Sequence, residues 1–458
     1  MANHVQVIVL GAGPAGIAAA MRLHAEGVKV LVLDEQATPG GQIYREVSLA
    51  SPKRKELLGK DYAAGSTPVA TFMESGIDYV PNASVWLVTA EREVHFRVAG
   101  ETRVVSADRI LFCSGAYERP MPVPGWTLPG VMTAGAGQIL LKTGARVPNG
   151  AVVLAGTGPL LYLLTIQYLK AGVKIKALVD TCTRGDLIAA ARFLPAALPA
   201  WKQLFKGISL MAQIRRAGID WYQGATDIQI EGDAKAQAVS FTNRGEHRQV
   251  NCDLVLLHQG VVPNTHPTLS IGAEHRWDEG QVCWVAEQNE WGELSVPGFF
   301  IAGDGAGVNG AEAAALQGRL VGLGIAVSLE KLTRSAAQPE AQSVRRAWQN
   351  LRCIRPMLER LYRPIRSLQL PADGTIVCRC EEVTAGAVRE YAAMGCLGPN
   401  QTKAFGRCGM GPCQGRQCGL SVTQILADAR HLPPSEVGYY RIRPPLKPIT
   451  LAELANEK

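Results

Sequence analysis

The chain has 458 residues, enough at roughly 150 residues per domain for about three compact units. Apolar residues make up 47%, charged residues 19% and aromatics 6%, which excludes a disordered, collagenous or coiled-coil protein. The balance of 47 Lys and Arg against 40 Asp and Glu leaves +7 with no homogeneous basic stripe up to residue 340, so nucleic acid is not expected as a partner.

Residues 5–10 (VQVIVL) form a continuous apolar run suited to a buried parallel strand. The turn GAGPAG follows, then a helical stretch to about Glu26 and a second apolar strand ending at Asp34. This is a βαβ unit with the G-x-G-x-x-G spacing. Gly11 permits the tight turn, Gly13 lets backbone approach a pyrophosphate, and Gly16 allows close helix-on-strand packing, while Pro14 and Ala15 open the helix whose N-terminus faces the phosphates. Asp34, at the end of the second strand, is placed to accept hydrogen bonds from a ribose, with Glu35 as the alternative acid.

From about Val80 to Cys113 short alternating strands read as a β-meander that returns to the sheet. At residues 151–180 the first pattern recurs as AVVLAGTGPLL, a helix and a strand ending at Asp180, so the chain carries two nucleotide-type modules. The second turn keeps Gly156 and Gly158 but has Leu161 where the third glycine would stand, which weighs against NAD(P)H hydride transfer. There Asp180 favours a free adenosine ribose and Arg184 could meet a phosphate; His258 either faces this nucleotide module or, the favoured reading, is a satisfied core histidine. Residues 185–217 read as helical and about 219–257 as alternating strands. Residues 298–326 read as strand, glycine-rich turn and a small-residue helix suited to tight packing against a cofactor or sheet; 331–370 read as an amphipathic connection. The tail from about 431 is too rich in proline to form a core and is expected on a surface.

Of the eleven cysteines, six crowd into residues 378–418, which points to a metal site in a reducing compartment rather than a disulfide framework. Cys378-Arg-Cys380 forms one pair, and Cys413-Q-G-R-Q-Cys418 forms a second pair well downstream. Zinc more often uses C-x-x-C knuckles, whereas a C-x-C pair with a distant second pair suits the four thiolates of a [2Fe–2S] cluster. Cys408 is a substitute ligand within reach of the same motif, and Cys396 reads as packing. No C-x-x-C occurs up to residue 330, so disulfide reduction is excluded, and no catalytic residue is assigned. The absence of any apolar run long enough to span a bilayer gives the expectation of a soluble, cytoplasmic chain, membrane-associated only through a partner.

Gly40-Gly41-Gln42, the C-S-G-A turn with Gly115, and Ala302-Gly303-Asp304-Gly305 before a helix resemble the set found in two-dinucleotide-domain flavoproteins, over about residues 1–330. The resemblance implies an α/β glutathione-reductase-like fold with FAD in the first module and Asp304 on its ribityl chain. The segments CRCEEVT and GMGPCQGRQC resemble the bacterioferritin-associated-ferredoxin-like [2Fe–2S] domain, implying Cys378, Cys380, Cys413 and Cys418 as ligands. The expected organisation is therefore a discontinuous FAD-binding domain (1–118 and 290–330), a second nucleotide-binding domain (119–289), a connecting helical segment (331–371), the helical [2Fe–2S] domain (372–430) and a docking tail (431–458).

Through CSGAYERPMPVPGWTLPGVMTAGAGQ, CRCEEVT and the RPPLKP tail, the whole chain resembles the α subunit of heteromeric bacterial opine oxidases, D-hydroxyproline dehydrogenase, proline dehydrogenase and hydrogen cyanide synthase. That resemblance implies a D-amino-acid-oxidase-like β subunit with its own FAD, a small third subunit, FMN at a subunit interface, and ATP or NAD(P) in the second nucleotide site. It also implies an electron acceptor that is a quinone or an electron-transfer protein. The rival reading is a self-sufficient NAD(P)H-dependent flavin and iron–sulfur reductase.

Overall fold

The computed structural model describes residues 4–455. The run from His4 to Leu10 lies at the centre of the first sheet, paired in parallel with Val30–Leu33 on one side and with Glu101–Phe112 on the other. Its last four side chains are all buried, which is why the segment is apolar throughout rather than alternating. The long strand Glu101–Phe112 serves two further partners: its first half pairs antiparallel with Glu93–Val98, and its end pairs in parallel with Phe299–Ile301. Residues 299–301 therefore return to the sheet on which the chain began.

A second sheet is wholly parallel, in the order Asp220–Gln223, Ile175–Asp180, Val152–Thr157, Leu254–Gln259, Val131–Thr133. A three-stranded antiparallel sheet (Thr226–Glu231, Ala238–Asn243, Glu246–Asn251) flanks it. The small-residue helix Ala311–Ser328 packs closely on the helix Pro14–Ala25 and shares a core with Val7, Val9 and Phe300 of the first sheet. A Cβ on Gly318 would lie 2.1 Å from the Ala15 carbonyl oxygen, and one on Gly322 would lie 3.0 Å from that of Ala19. Contacts at 15/318 and 19/322 advance in the same direction, so the two helices run parallel with their N-termini toward one end.

The connection forms as an amphipathic helix, Arg334–Arg352, burying Ala337, Ala341 and Val344 against Leu320 and Leu323. It continues into Arg355–Leu361, whose Leu361 packs on Cys182 and Ala190 beside the second sheet. The cysteine-rich unit has its own core of Val377, Val388, Val422, Ile425 and Leu426.

The tail departs from expectation. Tyr440 is 1% exposed and, with Ile442 and Leu446, completes that core, while Arg441 and Arg443 face out. Proline forbids a regular ladder but not an extended chain, and alternation at every second residue lets such a chain bury one face. Among the described residues no helix is long and apolar enough to cross a membrane.

Candidate functional site

At the first turn the glycines are required by geometry. Gly11 has φ +112°, and a Cβ there would sit 2.4 Å from the Cys113 carbonyl oxygen; a Cβ on Gly16 would sit 1.8 Å from that of Gly11. Gly13 caps the helix, Pro14 occupies its first turn and Ala15 is buried against Gly303. Gly41 (φ +59°) faces Gly13 across the turn, its Cβ position 2.9 Å from the Gly13 Cα. The Gly40 amide donates to the Ala12 carbonyl at 2.8 Å, locking the second glycine turn onto the first.

Asp34 is buried at the end of its strand. Its two carboxylate oxygens accept from the amides of Ala12 (2.5 Å) and Gln36 (2.7 Å). Burial pushes its carboxyl up and these amides oppose that shift. Glu35 points elsewhere, pairing at 2.9 Å with Lys447 of the tail. Gly115 (φ +64°) adjoins Gly305, and Asp304 accepts from the amides of Asn309 (2.9 Å) and Gly310 (3.0 Å), organising the start of helix Ala311–Ser328. The structure thus gathers Gly11, Gly13, Pro14, Ala15, Gly16, Asp34, Gly41, Gly303 and Asp304 around one end of two parallel helices, and leaves Glu35 outside.

Gln42 contributes in an unforeseen way. Its backbone carbonyl accepts from the Lys142 ammonium at 2.8 Å, and Lys142 is buried on the helix Ala134–Gly144 of the second module. Burial pulls the Lys142 amine down to about 7, assisted by Arg45. No motif marks Lys142; only the packing of one module on the other brings it to the turn.

The second turn is built on the same plan, since a Cβ on Gly156 (φ +126°) would lie 1.7 Å from the His258 carbonyl oxygen. Gly158 (φ +119°) faces the His258 ring, which hydrogen bonds Glu118 at 2.7 Å. His258 is thus buried with a satisfied partner. Asp180 differs from Asp34: it is fully buried, accepting from the Tyr162 hydroxyl (2.6 Å), the Trp221 indole (3.1 Å) and the Cys182 amide (2.9 Å). Tyr162 makes edge contacts with both Trp221 and Tyr362. The ribose acid expected here is enclosed by aromatic rings, and the exposed Arg184 opens the helix Arg184–Ala191. Helix Arg355–Leu361 covers the same edge.

In the C-terminal unit Cys378, Cys408 and Cys418 are buried with their sulfurs within 4.8 Å of one another. Hydrogen bonds from Cys408 and Cys418 hold the Cys378 thiol down at about 2, against burial, helped by the amides of Gly409 and Glu381. Sharing with Cys378 pushes Cys408 up to about 12 and Cys418 up as well. Cys380, exposed, hydrogen bonds Cys413, and Gly411 must be glycine because a Cβ would lie 2.2 Å from the Cys380 Cβ. Tyr440 reaches both Cys408 (3.5 Å) and Cys418 (3.7 Å) with its hydroxyl, so the tail closes the site. Cys396 lies apart, donating to the Gly398 carbonyl. Among the described residues the structure thus gathers Cys408, not Cys380 or Cys413, with Cys378 and Cys418, while Cys380 and Cys413 of the expected set form a separate hydrogen-bonded pair.

Residues 5–318 match the family model described as pyridine nucleotide-disulphide oxidoreductase, and residues 374–458 match the sarcosine oxidase A3 domain. The A subunit of opine oxidase from Rhizobium meliloti (strain 1021) is 42% identical, the alignment covering 98% of this chain and 98% of that protein. The chain belongs to the family of opine oxidase A subunits. Hydrogen cyanide synthase subunit HcnB of Pseudomonas aeruginosa is 30% identical over 99% of each chain. L-proline dehydrogenase from P. horikoshii superposes with a TM-score of 0.72 at 17% identity, over 98% of this chain and 79% of that one. Thioredoxin reductase from T. acidophilum gives 0.52 at 18% identity, over 72% of this chain and 100% of that one. These two are likenesses of fold. Membership of this family makes the chain part of a heteromeric flavin-dependent oxidoreductase, and the match over 5–318 implies FAD.

Proposed function

We propose that this chain is the electron-transferring subunit of a dehydrogenase or oxidase acting on the C–N bond of an opine, D-hydroxyproline or related amino acid. A D-amino-acid-oxidase-like β subunit removes two electrons and two protons from the substrate to leave an imine. A bound flavin accepts electrons in pairs and a [2Fe–2S] cluster passes them singly, so the two together link amine oxidation to a quinone or an electron-transfer protein. The carrying observation is the group of three buried sulfurs, Cys378, Cys408 and Cys418, within 4.8 Å of one another, on a chain whose first turn already has the glycine cradle of a dinucleotide site.

For FAD, the Gly13 and Gly41 backbones leave the turn open to a pyrophosphate, and the parallel helices Pro14–Ala25 and Ala311–Ser328 direct their N-termini toward it. Asp34 and Asp304 are the acids held in place beside that turn, for the ribose and the ribityl chain. For the cluster, Cys378, Cys380, Cys413 and Cys418 are the proposed ligands, with Cys408 the substitute. An FMN phosphate at a subunit interface would suit the positive field that Arg416, Lys403 and Lys447 cast on the buried His266 ring. An adenine nucleotide in the second module would be held by the Gly156–Gly158 turn rather than by Asp180, which Tyr162 and Trp221 already occupy. That enclosure is also why the self-sufficient NAD(P)H reductase is the weaker reading. We place the complex on the cytoplasmic side, with the β subunit and a small third subunit as partners.

The test is made on the purified complex. Iron, acid-labile sulfide and flavin should all be present, and anaerobic NADH or NADPH should leave the flavin oxidised. Cys413→Ser should abolish reduction of a distal acceptor while amine oxidation with a dye continues in the β subunit. Rapid bleaching of the isolated chain by NADH would overturn the reading.

A further inference from the structure

Beyond the two nucleotide turns and the thiols lies a segment that neither site uses. Residues 187–219 contain no Asp or Glu but carry the cations Arg192, Lys202, Lys206, Arg215 and Arg216. They fold as the helices Arg184–Ala191, Leu194–Ala197 and Trp201–Arg216 with short turns between. The last helix is apolar on two faces. Leu210 and Ile214 are buried inward, and the inward packing includes Leu204. Trp201, Phe205 and Ile208, at spacings of four and three, form a second stripe that stays 54%, 65% and 59% exposed. Ile188, Leu194 and Leu198 extend the exposed surface.

Isolated exposed apolar residues need no explanation, but a clustered patch with aromatic residues at its centre does. The charge pattern selects its occupant. Protein–protein interfaces are depleted of lysine at their cores. Here Lys202 and Lys206 alternate with the aromatics: Lys202 lies over the Trp201 ring at 5.8 Å, and Lys206 pairs with Asp61 of a neighbouring helix. Arg192 lies over the Phe193 ring at 4.7 Å. Apolar stems and rings with cations at their margin, and an acid only where Asp61 pairs with Lys206, match an amphipathic helix lying in a lipid headgroup layer. None of these helices can span a bilayer.

We infer that this face binds directly to the surface of a membrane containing anionic phospholipid. Trp201, Phe205 and Ile208 enter the acyl boundary, and Arg192, Lys202, Arg215 and Arg216 face the headgroups. The inference is independent of the electron-relay reading, because none of these residues belongs to the glycine turns or the cysteine site.

The experiment is vesicle flotation of the full chain, alone and in its complex. The vesicles are phosphatidylcholine with phosphatidylglycerol, or phosphatidylcholine alone. The expected result is flotation with the mixed vesicles, weakened by salt, and at least about tenfold weaker partitioning for Trp201→Glu/Phe205→Glu. Hydrogen–deuterium exchange on the unmodified protein should show protection of 194–213 on vesicle addition, a reading that does not depend on the variant folding. Failure to float, or equal flotation of the variant, would overturn the inference. So would protection of 194–213 without lipid in the complex or on raising protein concentration, since the patch would then be a protein interface.

Discussion

Around Gly11–Gly16, Asp34 reaches the Ala12 amide of the turn itself and lies beside an open glycine cradle. Around Gly156–Leu161, Asp180 is enclosed by Tyr162 and Trp221, and helix Arg355–Leu361 covers that edge. Both turns have left-handed glycines that any Cβ would drive into a neighbouring carbonyl, so the backbone plan is shared. The difference lies in the residues after the second glycine: in the first turn they are small, whereas in the second Leu161 packs into the core and Tyr162 occupies Asp180. The same turn therefore keeps its acid beside the glycine cradle in one module and under aromatic cover in the other.

The most severe challenge to this contrast is to give the first turn the residue of the second. Gly16→Leu must displace the Gly11 carbonyl, and the expected outcome is a chain that retains no flavin or does not fold, read by absorbance and yield. The reverse change, Leu161→Gly, removes a fully buried side chain from a helix and should cost about 3–5 kcal/mol in denaturant unfolding. It should not confer flavin reduction by NADH, because Asp180 stays covered.

Lys142 joins the two modules and gives a test with a defined pH window. Its amine is lowered in the folded chain to about 7 from 10.5, so between these values the unfolded chain holds more protons and folding gains stability as pH rises. Below pH 7 the full cost of burying the charge applies. In the flavin-free chain, Lys142→Met should raise stability by about 2–4 kcal/mol at about pH 6, with the gain fading toward about pH 10. A gain that does not depend on pH would place the effect in packing instead. Tyr162→Phe, which removes one of the three donors to Asp180, should cost about 1–3 kcal/mol in the same unfolding measurement. Smallest is Lys447→Ala: its pair with Glu35 is exposed, so less than about 1 kcal/mol is expected despite linking the tail to the first module.

The two β-α-β units, the cysteine-rich unit and the glycines of each turn were legible because each depends on local spacing. Buried strands read as apolar runs, and left-handed turns demand glycine. Less legible were Lys142, Tyr440 and the aromatic cover on Asp180, since each acts on a site far away along the chain. The tail misled for a related reason: proline content reports on hydrogen-bond ladders, whereas burial of Tyr440, Ile442 and Leu446 follows from the alternation of an extended chain.

The order of strands and helices, the places where backbone must turn sharply, and the concentration of thiols in one short unit are properties of neighbouring residues, and the amino-acid string alone settles them. The packing of distant elements settles the rest: which acid remains beside an open turn, which three sulfurs share one buried pocket, and which apolar helix face is left uncovered. Those outcomes depend on what lies against each element, and burial, not spacing, sets whether a charge, a thiol or an aromatic ring is satisfied where it lies.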